Sequence, residues 1–113
     1  MKTCFVIPNY GPNMVNDPCA YPLGAMYASS FMKALGHDVK VLNFNLFDYD
    51  LKEELKGQDV VALTGYEQFL PVNQAVNDIA HEMGLKTILG GALATFNKPA
   101  MKQFFDGVFR GEI

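Results

Sequence analysis

The sequence predicts an α/β domain with a five-stranded parallel sheet and helices on both faces, and three observations lead to this fold class. Five short runs of β-branched or apolar residues recur along the chain, each bounded by Gly, Asp, Asn or Pro. Segments with apolar residues at helical spacing lie between these runs. The runs themselves are almost continuously hydrophobic, which is typical of parallel strands that are buried on both faces.

The five runs are the predicted strands, and each is bounded by residues that favour turns. They cover residues 3–8, 38–44, 59–65, 86–91 and 107–111. Strands that alternate with helices pair in parallel through right-handed crossovers. Five of them favour the flavodoxin-like, or Rossmann-like, strand order 2-1-3-4-5.

Two helices have clear sequence boundaries. The first follows Pro22 and ends at Gly36, and the second follows Pro71 and ends at Gly84, which matches the preference for proline at helix starts and glycine at helix ends. The faces expected to pack on the sheet are Leu23, Met26, Tyr27, Ser30, Phe31, Ala34 and Leu35 in the first, and Val72, Ala75, Val76, Ile79, Ala80 and Met83 in the second. Shorter helices are expected around 50–56 and 98–105.

Composition indicates one globular domain over residues 1–113, and its charge pattern indicates no macromolecular partner. Charged residues make up 19% of the chain, the net charge is −3, and the nine Lys and Arg residues are scattered, so no basic stripe is available for nucleic acid. The N-terminal apolar run is broken by Pro8 and is too short for a signal peptide or a membrane span. We therefore expect a cytoplasmic protein that binds neither nucleic acid nor membrane.

The residues most often used in catalysis and metal binding are few. Cys4 is expected in the core and Cys19 in a loop, because two cysteines at this spacing form neither a disulfide framework nor a zinc motif. His37 and His81 are interpreted as structural or solvated residues, and the charged run 48–56 as a solvated helix face.

Parallel sheets of this order bind ligands beyond the carboxyl ends of their strands. There the chain offers the Pro-rich loop 8–22, a small hydroxyl at Thr64 and the glycine pair at 90–91, but neither of the glycine-rich phosphate-binding motifs. The pair either lets a ligand approach the backbone or makes a tight turn. Thr64 and Thr95 either hydrogen-bond a ligand or cap the helices that follow.

Four stretches in order resemble one family. They are YPLGAMYASSFMKALGHDVKVLNFN, DVVALTGYEQF, LGGALATF and DGVFRGE. The chain from Pro8 to Glu112 thereby resembles the N-terminal cobalamin-binding domain of cobalamin-dependent radical S-adenosylmethionine enzymes. The family's C-x-x-x-C-x-x-C iron–sulfur motif is absent, and Ala92 and Leu93 stand where the family more often has Pro-His.

The resemblance implies a vitamin B12 cofactor at the strand ends. Because the D-x-H-x-x-G signature is missing, it also implies that no protein histidine binds the cobalt. S-adenosylmethionine and the iron–sulfur cluster would belong to a downstream radical domain of the same polypeptide, and the 113-residue chain alone would not be catalytic. The implied cofactor-binding residues are Pro8, Tyr10, Thr64, Gly65, Tyr66, Phe69, Gly90, Gly91, Ala92 and Thr95.

Two other functions stay open at this point. One is a non-catalytic interaction or sensory domain of the same fold, binding another small ligand or a partner through loop 8–22. The other is a small flavin protein, which the lack of a hydroxyl-rich phosphate loop after the first strand disfavours.

Overall fold

The computed structural model describes residues 2–7, 23–44, 48–64, 70–90 and 104–108. Within them the chain alternates between strands and helices. The elements are β1 (Lys2–Ile7), α1 (Leu23–Ala34), β2 (Asp38–Asn43), α2 (Leu51–Leu55), β3 (Val60–Thr64), α3 (Leu70–Glu82), β4 (Lys86–Gly90) and β5 (Gly107–Val108). The five predicted strands are confirmed, although the described part of the last one has only two residues.

The strands form one sheet in the order β2-β1-β3-β4-β5, and all four pairings are parallel. The predicted five-stranded sheet and its 2-1-3-4-5 order are therefore confirmed. The order reverses direction beside β1, so the carboxyl ends of β1 and β3 flank the topological switch point, where sheets of this kind bind ligands.

Alternate residues of the strands belong to two separate hydrophobic clusters. Cys4 and Val6 of β1 pack with Leu55 of α2 and with Val76 and Ala80 of α3. Phe5 and Ala62 pack with Ala28 of α1, together with the half-buried Met32. Coverage of both faces by helices stays a prediction, which this separation of the clusters supports.

Helices α1 and α3 end in the same way. Gly36 and Gly84 have φ values of 92° and 77°, a left-handed conformation that glycine adopts without strain. The His37 N–H donates to Met32 O, and the Leu85 N–H donates to Ala80 O, which are the closing bonds of a Schellman motif. The predicted glycine ends of both helices are confirmed.

The predicted inner face of α1 is wrong in its last two turns. The exposed fractions of Phe31 and Leu35 are 59% and 62%, whereas the neighbouring Ala28 and Ser29 are buried. Ser30 and Ala34 are also exposed. Among the side chains of this helix that the structure describes, Ala28 and the half-buried Met32 pack in the cluster that contains Phe5 of β1.

The predicted inner face of α3 is partly wrong, because the helix is rotated relative to its apolar stripe. Val76 and Ala80 are buried as expected, but Val72 and Ala75 are exposed. Asn73 and Asn77 are buried in their place. Each of these two amides hydrogen-bonds a backbone carbonyl, which offsets the cost of removing it from water.

The short helices had mixed outcomes. α2 is confirmed, with Asp50 as its N-cap accepting from the Glu53 N–H and with Leu55 buried beneath it. Of the helix expected around 98–105, residues 104 and 105 form a turn and a bend, and the remainder lies outside the described residues.

Candidate functional site at the carboxyl ends of β3 and β4

The candidate site lies where β3 and β4 end side by side, at the carboxyl edge of the sheet, by which we mean the end at which the strands finish. Thr64 and Gly90 are the last residues of these strands and are paired directly in register. Both are half-buried. The hydroxyl-bearing residue and the first glycine of the predicted pair therefore lie next to each other at the edge where ligands bind in this fold.

Neither the backbone conformation nor a described neighbouring atom requires glycine at position 90. Its φ is not in the left-handed region, unlike those of Gly36, Gly57 and Gly84. No atom that the structure describes lies within 4 Å of a Cβ built on Gly90. By contrast, a Cβ on Gly107 would come within 3.0 Å of Ile88 Cγ2. With respect to the described residues the space beside Gly90 is open, and a positive φ does not explain the glycine at this position.

The capping interpretation of Thr64 is not tested. The described part of α3 begins at Leu70, and residues 65–69 between it and Thr64 lie outside the described residues. Both interpretations of the Thr64 hydroxyl therefore stay predictions.

A buried asparagine lies behind Thr64. Asn73, in the first turn of α3, has no exposed surface, and its Nδ2 donates to Thr64 O at 3.2 Å. Its Oδ1 is buried and has no hydrogen-bond partner among the described residues. A buried acceptor without a donor costs about 1 to 3 kcal/mol, so it is a feature that needs an explanation.

The other implied cofactor residues lie outside the described residues. They are Pro8, Tyr10, Gly65, Tyr66, Phe69, Gly91, Ala92 and Thr95, and the same holds for Cys19. Their roles stay predictions.

Both histidines of the chain lie at the opposite end of the strands, where the strands begin. We call this the amino edge of the sheet. His37 directly precedes β2, and His81, near the end of α3, lies within 2.9 Å of Asp106, which directly precedes β5. The two edges are roughly 15 Å apart, because a strand advances about 3.3 Å per residue. Neither histidine is therefore positioned to reach a ligand bound beside Thr64 and Gly90.

A second polar cluster occupies that amino edge. Asp106 Oδ2 accepts from the Thr87 N–H at 2.8 Å and lies 2.9 Å from His81 Nε2. The Thr87 hydroxyl donates to Asn77 Oδ1 at 2.6 Å, and Asn77 Nδ2 donates to Phe104 O at 2.8 Å. These bonds join α3, β4 and the residues before β5.

This amino-edge cluster does not have the geometry of a hydroxyl–histidine–carboxylate relay. In such a relay the carboxylate and the hydroxyl contact different ring nitrogens. Here Asp106 Oδ2 and Thr87 Oγ1, at 3.3 Å, both face Nε2 of His81. Partial burial alone would raise the pKa of Asp106, but hydrogen bonds from the Thr87 N–H and His81 outweigh it and hold this pKa below its usual value. The cluster is structural, because its hydrogen bonds hold α3, β4 and the residues before β5 together.

Two further findings concern the whole described part of the chain. It contains no group of three or more His, Cys, Asp or Glu side chains that could hold a metal ion. None of its helices is both long and apolar enough to cross a membrane.

Sequence reasoning missed three residues of these clusters, namely Asn73, Asn77 and Asp106. Asparagine and aspartate are usually exposed, so a hydrophobic pattern assigns them to the surface. One signal was available: Asn73 and Asn77 are four residues apart, which places them on the same side of a helix.

Comparison of the chain with protein-family models, with curated proteins and with solved structures finds no match. The geometry of the carboxyl edge is therefore the basis for assigning a function.

Proposed function

We propose that this chain is a corrinoid-binding domain and that cobalamin lies against the carboxyl ends of β3 and β4. The single observation that carries the proposal is that no described atom lies within 4 Å of a Cβ built on Gly90, whose register partner is Thr64. A large flat ligand needs a strand end without a side chain, and glycine allows a close approach to the backbone.

The described residues at this edge fit the cofactor. Gly90 leaves room for it, Thr64 offers a hydroxyl, and Asn73 offers a buried acceptor. The position of His37 and His81 at the other edge supports a mode of binding in which the protein supplies no histidine to the cobalt. Bound cobalamin would supply a cobalt centre for methyl transfer or redox chemistry.

The resemblance described above extends the proposal to a parent protein. The domain would serve a cytoplasmic radical S-adenosylmethionine enzyme, and its partner would be the downstream domain that carries the iron–sulfur cluster. The role of the present chain would be to hold and orient the corrinoid.

The test is a titration of the ¹⁵N-labelled chain with hydroxocobalamin, followed by amide chemical shifts. We expect saturable shifts at Thr64 and Gly90 and no comparable shifts at the amino edge. A folded spectrum that stays unchanged at millimolar ligand would contradict the proposal and favour the interaction or sensory domain.

A matched pair of variants locates the site. Gly90→Leu fills the open space and should weaken binding at least about tenfold, since a side chain would occupy the volume the ligand needs. Lys86→Leu is the control, because Lys86 is exposed and lies four residues earlier on the same side of β4, at the amino edge. Equal affinities of the two variants would contradict the proposed location.

A further inference from the structure

Asn73, which the sequence patterns did not indicate, contacts the carboxyl end of β3. It is fully buried in the first turn of α3, and its Nδ2 lies 3.2 Å from the carbonyl oxygen of Thr64. A carbonyl oxygen can only accept, so the amide group must turn its N–H side toward Thr64. Oδ1 is therefore the atom left without a partner.

A second buried asparagine on the same helix provides the comparison. Asn77 lies one turn later, and both ends of its amide are used: Oδ1 accepts from the Thr87 hydroxyl and Nδ2 donates to Phe104 O. Of these two buried asparagines, Asn73 is the one whose amide oxygen has no partner within the described residues, where Thr3 Oγ1 and Gln58 Oε1 are also buried and unpaired.

The position of this acceptor determines the ligand chemistry that suits it. The Asn73 amide contacts the last residue of β3, whose register partner is Gly90. An unpaired oxygen attracts a hydrogen-bond donor and repels an anion, so the complementary group is a neutral amide NH2 or a hydroxyl. Cobalamin carries both, as amide side chains of the corrin ring and as a hydroxyl on the nucleotide tail.

We propose that Asn73 is a specificity-determining residue of the corrinoid site, which anchors the end of β3 through Nδ2 and accepts a hydrogen bond from an amide or hydroxyl group of the ligand through Oδ1. This inference rests on the proposed function. It adds a residue from the helix behind the strand ends to a site otherwise made of strand-end residues.

The first test uses the unmodified protein. In a hydroxocobalamin titration we expect the side-chain NH2 resonances of Asn73 to shift with the same saturation curve as the Gly90 amide. The side-chain resonances of Asn77 serve as the internal control and should stay in place. Saturable Gly90 shifts with an unmoved Asn73 side chain would overturn the inference while leaving the proposed function intact.

The second test compares Asn73→Leu with Asn77→Leu, two identical substitutions one turn apart. Asn73→Leu should bind hydroxocobalamin about five- to tenfold more weakly, as the loss of one hydrogen bond predicts. Asn77→Leu should unfold at lower urea concentration but bind with unchanged affinity while folded. If Asn73→Leu binds as tightly as the wild type, the inference fails. If the wild type itself does not bind, the proposed function fails with it.

A parallel titration with cobinamide distinguishes the two possible hydrogen-bond donors, the corrin amides and the tail hydroxyl. Cobinamide keeps the corrin amides and lacks the nucleotide tail. A loss of affinity in Asn73→Leu for both ligands assigns the donor to a corrin amide. A loss for cobalamin alone assigns it to the tail hydroxyl.

Discussion

At the scale of single residues, burial decides what each side chain can do. Cys4 has no exposed surface on β1, and desolvation raises the pKa of its thiol to about 12, although the nearby Lys40 ammonium acts in the opposite direction. Lys40 is itself held by Glu54, with Nζ 2.8 Å from the carboxylate Oε2. Cys4 is therefore a core residue, as expected from the sequence, and its thiolate form is strongly disfavoured in the folded state.

Cys4 should resist thiol reagents in the folded protein. In a Cys19→Ser variant, which retains Cys4 alone, we expect labelling by DTNB at pH 8 to be at least about a hundredfold slower in buffer than in denaturing urea, because the thiolate is the reactive form. The urea sample is the control for reagent quality. Rapid labelling of the folded variant would contradict the burial of this side chain.

Asp106 should contribute a pH-dependent part of the stability. Its pKa is lower in the folded protein than the ordinary value of 3.8, so its contribution is present above that value and is lost as the pH falls through the folded pKa. Asp106→Asn should lower the free energy of unfolding by about 1 kcal/mol at pH 7, a modest value because the carboxylate is partly exposed.

The measurement is urea unfolding of the wild type and Asp106→Asn at pH 7 and near pH 2. The difference between the two proteins should shrink at the lower pH, where both carry a neutral side chain at this position. A difference that stays constant would show that the charge of Asp106 plays no part.

At the scale of elements, glycines with different backbone conformations should respond differently to the same substitution. Gly36→Ala forces an L-residue to a φ of 92° and should destabilise the fold by about 1 to 2 kcal/mol. Gly90→Ala meets neither strain nor a described neighbour, so stability should be unchanged or higher by up to about 1 kcal/mol. Urea midpoints measure both, and a large loss in Gly90→Ala would show that the fold needs this glycine.

The elements also show which parts of the structure the sequence could predict. Strand positions were predictable because buried strands of a parallel sheet are continuous apolar runs, as in β1 and β3. Helix ends were predictable because only glycine adopts the left-handed conformation of Gly36 and Gly84 at no cost. Both signals depend on residues that are close together in the sequence, so they can be read without knowledge of tertiary contacts.

Helix faces were less predictable because they depend on the partner surface. Phe31 belongs to an apolar stripe but is exposed, whereas Ala28 and Met32 of the same helix pack against the sheet. Asn73 interrupts an apolar stripe but is buried, since its amide finds a carbonyl at the end of β3. For the candidate site, Thr64 and Gly90 were predicted, whereas Asn73 depends on a tertiary contact that no local pattern contains.

At the scale of the whole molecule, the strand order predicts where the fold is most stable. β1 and β3 lie in the interior of the sheet, and β1 is paired on both sides over most of its length. β5 is an edge strand, and two register pairs join its described residues to β4. Short strands at the edge of a sheet unfold locally at a lower free-energy cost than central strands.

Native-state hydrogen exchange measures this gradient. We expect the amides of β1 and β3 to exchange slowest, at the rate of global unfolding, and those of Gly107 and Val108 to exchange faster by about two orders of magnitude or more. Uniform protection across the five strands would contradict the order of stabilities inferred from the sheet.

The short connections at the amino edge have a consequence for redesign. α1 and α3 are each joined to the next strand by three residues, and both of these turns contain a glycine with positive φ. Turns this short leave little freedom for insertion. Loops grafted at the carboxyl edge, beside the proposed ligand site, can alter ligand preference while the sheet, its register and these two turns stay unchanged. The two turns are therefore a part of the fold to keep in a redesign.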